Sequence, residues 1–300
     1  MIVNPTPNEL RSLDHLKNQI GAGGNTINTQ NTCVVAASGL SLRIAEDALQ
    51  TIESIAQKLR DWLEKLDIPT PPKPPFLAVG LFSNKKPYEA YLTKEGLGGL
   101  SGSFGVTHPV RWVSLILCDP GELKEINPQV VIAHESIHLI TLKSRLCPAW
   151  DAWPRWLHEG LALLGDHTAD KSPPNPTQKG PMAKNPAPLA NRFGSTNQDR
   201  AKAWKTTSPI LELNAFLRRD LIKNPLPNHQ DYAACWAITA ALAEWQNGRL
   251  LQSLIHELNN LHSQFESPQS IEVFTADWLK SEIGDQWLDF TKSVRALAEL

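Results

Sequence analysis

The stretch Asn127-Pro-Gln-Val-Val-Ile-Ala-His134-Glu135-Ser-Ile-His138-Leu-Ile-Thr-Leu-Lys143 opens with a helix-start signal. Asn serves as N-cap, and Pro at the first helical position has no N–H to leave unpaired. The run that follows is apolar on most sides, which predicts a buried helix over Pro128–Lys143. Four residues turn a helix through about 400°, so His134 and His138 project from one face, one turn apart. Two imidazoles so placed can grip one cation. Glu135 lies on the adjoining flank, beside a water bound to that cation, which is the mechanical content of His-Glu-x-x-His. A helix that buried two His and a Glu without partners would lose about 1–3 kcal/mol per group, and metal binding removes that problem.

A catalytic zinc takes three protein ligands and leaves a fourth position open. Beyond His138 the chain reads Trp153-Pro-Arg-Trp156-Leu-His158-Glu159-Gly160-Leu-Ala-Leu-Leu164, a second helix restarted at Pro154. Trp156, Leu163 and Leu164 flank Glu159 at helical spacing, which favours an inward carboxylate as third ligand. His158 is the rival, about 100° away on the same helix.

On either side the pattern changes character. Before residue 127 strands alternate with helices: strands are expected at Thr32–Ser38, Phe76–Phe82 and Val110–Cys118, and helices at Leu42–Leu66 and Pro87–Lys94. Asp67-Ile-Pro-Thr-Pro-Pro-Lys-Pro-Pro75 ends the long helix. Gly96–Gly105 lacks the Gly-Lys-Ser/Thr of a phosphate loop and suggests a bulged strand or a close backbone approach. After 127 helices take over, resuming near Pro209, Gln230, Gly248 and Ser270. Strands first and helices afterwards is the α+β pattern. The expected organisation is a flexible segment 1–31, in which Asn8–Ile20 could make a short helix before a Gly- and Asn-rich linker, and one domain over 32–300. That domain has a small mixed sheet in a strand-rich half, 32–126, and a helical half, 127–300, with a Pro-rich excursion at 171–189.

Lys and Arg number 29 against 31 acids, a net charge of −2, which argues against a nucleic-acid surface. No run of about 18 apolar residues spans a membrane. The N-terminus has no basic start or apolar segment of a secretory signal, so a cytoplasmic location is expected. Cys33, Cys118, Cys147 and Cys235 form no CxxC pair, and buried free thiols are expected.

The two zinc motifs together resemble those of the gluzincin zinc metallopeptidases of clan MA. Trp156-Leu-His-Glu159-Gly160-Leu-Ala162 is similar to their Trp-x-x-Glu-Gly-x-Ala segment in full. The likeness extends in outline over 32–300, to compact bacterial domains of that type in which a strand-rich half precedes a helical one. It implies a thermolysin-like architecture, one Zn2+ held by His134, His138 and Glu159, Glu135 as general base, and a peptide or protein substrate. No Gly-Ala-Met-Glu-Asn-like segment precedes the zinc helix, so aminopeptidase activity of that kind gains no support.

Among the tyrosines Tyr88, Tyr91 and Tyr232, the last opens a helix after the zinc motifs, as in related domains, and is the expected oxyanion donor, with His229 its rival. The expected strand Val110–Cys118 either offers an edge to an extended substrate or lies inside the sheet. The tryptophans at helical spacing, such as Trp62 and Trp236, read as core. The expected activity is peptide-bond hydrolysis by a metal-activated water. A non-catalytic interaction domain that keeps a structural zinc site is the alternative, and hydrolysis of another amide is a weaker one.

Overall fold

Short runs of β-branched and aliphatic residues in the first half become strands, and longer amphipathic runs between them become helices. The computed structural model describes residues 6–20, 23–71, 74–119, 121, 127–165, 198–207, 212–219, 228–265 and 268–297. It divides the chain into two compact units, Met1–Leu59 with Thr70–Trp150, and Arg60–Pro69 with Asp151–Leu300. Helix Pro128–Lys143 goes with the sheet, because its apolar sides pack on the strands.

In the first unit, helix α1 (Pro7–Ile20) leads to strands β1 (Asn25–Asn28) and β2 (Thr32–Ala36). Helix α2 (Leu42–Lys65), strand β3 (Leu77–Phe82) and helix α3 (Lys85–Lys94) follow. Strands β4 (Gly105–His108) and β5 (Val113–Leu117) and helix α4 (Pro128–Lys143) complete it. The five strands form one mixed sheet in the order β1-β2-β3-β5-β4. Strands β2, β3 and β5 are parallel, and β1 and β4 are antiparallel edges. The three parallel strands are buried along their whole length, which is why they read as unbroken apolar runs rather than alternating ones. Leu13, Leu16 and Ile20 of α1 and Tyr88, Tyr91 and Leu92 of α3 form one core cluster with Cys33, Val35, Ala78, Val106, Val113 and Leu115 of the strands. Helix α4 packs on β3, β4 and β5.

Within the segment 1–31, the short helix that Asn8–Ile20 could form is present as α1. Its Leu13, Leu16 and Ile20 recur at helical spacing and are buried, while Asn25–Asn28 pairs with Cys33–Ala36. The strand expected at 110–118 starts at Val113, because residues 109–112 make the turn from β4, with Trp112 at φ 56°. Strand β5 therefore lies between β3 and β4, and β4 is the edge. The sequence of β4, Gly-Val-Thr-His, is too short and too polar to announce a strand. The Pro-rich stretch 171–189 lies outside the described residues.

In the second unit, helices α5 (Arg155–Gly165), α6 (Gln198–Thr207), α7 (Leu213–Leu217) and α8 (His229–Glu244) are followed by α9 (Arg249–Leu261), α10 (Pro268–Ile283) and α11 (Trp287–Ala296). Helix α8 is the hub: α5, α6, α9 and α11 all pack on it. Ala233 to Ala243 are buried on every side of it, and the alanines among them admit close neighbours. No helix among the described residues is long and apolar enough to cross a membrane. The fold is α+β, a mixed sheet with mainly helical remainder.

Candidate metal centre

Helix α4 starts as its sequence dictates: the Asn127 side chain accepts the Gln129 N–H at 3.0 Å, and Pro128 occupies the first turn. Its side chains from Ile132 to Leu142 are buried, except His134, which is half-buried. The rings of His134 and His138 lie 4.9 Å apart and nearly perpendicular, neighbours on one face as a spacing of one helical turn places them. The His138 ring meets the edge of Trp150 at 5.5 Å.

Glu135 is held from the edge strand. Thr107 Oγ1 is 2.8 Å from Glu135 Oε2 and 3.0 Å from its backbone oxygen. Ser114 Oγ lies 2.9 Å from Thr107 Oγ1 and 3.1 Å from the same backbone oxygen. Thr107 has one hydroxyl proton to give. The shortest arrangement sends it to the carboxylate, with Ser114 donating to the backbone oxygen. Gly105 makes room for this contact, since a Cβ there would stand 2.6 Å from Glu135 Cγ and 2.7 Å from Val131 Cγ1. Gly105 closes the Gly-rich stretch that suggested a strand or a close approach, whereas Thr107 was not found from sequence, because the strand runs on past that stretch.

Glu159 sits on α5 and is buried. Arg155, one turn earlier, places Nη2 2.7 Å from Glu159 Oε1, and the Arg155 backbone N–H donates to Glu272 Oε1 at 2.9 Å. The Arg155 spacing of four residues was visible in the sequence, although the Glu272 contact from α10 was not. Helix α5 approaches α8 closely at Gly160, where a Cβ would lie 1.9 Å from Thr239 Oγ1 and 2.5 Å from the Cys235 backbone oxygen. Burial pushes the Cys235 thiol well up, and the Glu159 carboxylate adds to that, so it remains a thiol. Burial likewise pushes Cys118 up to about 12. All four cysteines are buried, and none is in a disulfide.

The ligand atoms of His134, His138 and Glu159 all lie within 4.8 Å of one another, the one group of this kind among the described residues. Two imidazoles and a carboxylate are a donor set that suits a borderline divalent ion such as zinc. His158 is not in this group. It is buried beside Trp153, their rings 5.5 Å apart.

Tyr88 and Tyr91 are buried in the first unit's core, and burial pushes both hydroxyls up. Tyr232 is half-buried in the first turn of α8, with His229 exposed at the helix start. The turn is fixed by a capping box between Asn228 and Asp231.

No curated protein matches the chain. Residues 129–260, running from α4 into α9 and including both helices of the metal group, match a family model described as "Protein of unknown function (DUF1570)".

Proposed function

We propose that this chain is a zinc-dependent peptidase of thermolysin-like architecture, with His134, His138 and Glu159 as ligands of one Zn2+ and Glu135 as general base. The observation that carries this reading is the convergence of the three ligand atoms within 4.8 Å. A base one residue from a ligand, buried and oriented by Thr107, supports hydrolysis over a purely structural metal site, which would need no such group.

A bound zinc would lower the pKa of water to about 7 and polarise the scissile carbonyl. Glu135 takes the proton of the attacking water and delivers it to the leaving amine. Thr107 holds Oε2, so Oε1 is the oxygen left for that transfer. Arg155 binds Glu159 Oε1 and orients the carboxylate. Tyr232 is the donor proposed for the developing oxyanion, in place of His229.

The test is cleavage of a casein digest or mixed peptide library, followed by mass spectrometry. Cleavage that a chelator stops, that zinc restores and that Glu135→Gln abolishes with zinc content unchanged supports the reading. Tyr232→Phe should lower turnover without loss of metal. Zinc bound without any cleavage that depends on Glu135 would favour the interaction domain with a structural site.

A further inference from the structure

The first unit carries a cavity of about 560 Å³, within the range of small-molecule pockets. It is lined by Arg11 and Ser12 of α1, Glu95 at the end of α3, and His108, Val110 and Arg111 of the β4–β5 turn. Two guanidiniums against one carboxylate leave one positive charge in excess. Glu95 is already engaged. Its Oε1 lies 3.0 Å from His15 Nε2, and its Oε2 accepts from Arg111 Nε. That bond fixes Arg111 by its Nε edge. Among the described residues Arg111 Nη1 and Nη2 have no hydrogen-bond partner, and Arg11 spends only Nη2, on Asn8.

His108 is buried, and its Nδ1 accepts the backbone N–H groups of Val110 and Arg111 at 3.3 Å each. The ring proton therefore sits on Nε2, 3.6 Å from Glu95 and without a hydrogen-bond partner. These bonds pin the turn that carries Arg111. The turn also presents Val110, 83% exposed, and Trp112 with its left-handed φ of 56°, a conformation that bulky residues rarely hold.

We propose that this cavity is a binding site for a carboxylate carried on an apolar body, with Arg11 and Arg111 clamping the carboxylate and Val110 covering the apolar part. A single excess positive charge matches a monoanion. The two arginines offer unused N–H groups of the kind that bind carboxylates in pairs. The site is built from α1, α3 and the β4–β5 turn, and it does not depend on the metal reading.

The test is calorimetric titration of the full chain with N-acetylphenylalanine, its neutral amide and inorganic phosphate. The acid should bind saturably, and the amide at least about ten-fold more weakly. Arg11→Met, exposed and outside the Glu95 network, and Arg111→Met should each weaken the acid by about ten-fold. Glu159→Ala, which removes a proposed metal ligand, should leave its Kd within about two-fold. The proposal is overturned if amide and acid bind alike, if phosphate binds more tightly than the acid, or if binding is lost in Glu159→Ala and kept in both arginine variants.

Discussion

Thr107 donates its hydroxyl proton to Glu135 across 2.8 Å, from an edge strand to the helix that bears the two histidines. A charge-assisted bond of this kind is worth about 1.5–3 kcal/mol and sets which carboxylate oxygen is free. Thr107→Val should lower kcat by about 10- to 100-fold with bound zinc unchanged. Thr107→Ser should restore most of it. Equal turnover in Thr107→Val and the wild type would remove Thr107 from the site.

Arg155 stands to Glu159 as Thr107 does to Glu135. Arg155→Met leaves the Glu159 carboxylate without its guanidinium, and zinc affinity should fall by about 10- to 100-fold in competition with a chromophoric chelator. An affinity within two-fold of wild type would mean that Arg155 serves only the helix.

The approach of α5 to α8 depends on Gly160. A methyl group there meets Thr239 Oγ1 and the Cys235 backbone oxygen well inside contact distance. Gly160→Ala should cost about 1–3 kcal/mol in urea unfolding, and Thr239→Ala should recover part of that. The backbone contact at Cys235 keeps the recovery incomplete.

Lys143 is buried at the end of α4 and donates to Glu9 Oε1 at 2.5 Å and to the Phe76 backbone oxygen at 2.6 Å. Burial pushes the Glu9 carboxyl up, but hydrogen bonds from Lys143 and Thr6 outweigh that and leave it below its ordinary 4.5. A depressed carboxylate adds stability that is present above the unfolded value and lost as pH falls through the folded one. Glu9→Gln should cost about 1–3 kcal/mol near pH 7, discounted for the partial exposure of Glu9. The difference from wild type in unfolding free energy should be flat above about pH 5.5 and shrink below about 4.5. A difference that grew on acidification would contradict this assignment.

Much of this was legible in the chain itself. Asn127-Pro128 marked the start of α4 to the residue, and His134 and His138 could share a face only on a helix. Leu42–Lys65 declared itself by apolar spacing, and the prolines after Asp67 marked its end. What stayed hidden was non-local. Strand β4 has four residues, and its Thr107 matters only for what α4 brings against it. Helix α1 looked weak beside the Gly-rich stretch that follows it, yet three buried residues and the Lys143–Glu9 bond tie it down. Glu272 reaches Arg155 from more than a hundred positions away, which no spacing rule detects.

The most direct measurement is metal content by mass spectrometry on the purified chain and on four variants. The account predicts one zinc per chain in the wild type and in His158→Ala. It predicts an affinity lower by about 100-fold or more in His134→Ala, His138→Ala and Glu159→Ala. A chain that binds no divalent ion, or one in which Glu159→Ala keeps its zinc while His158→Ala loses it, would contradict the account.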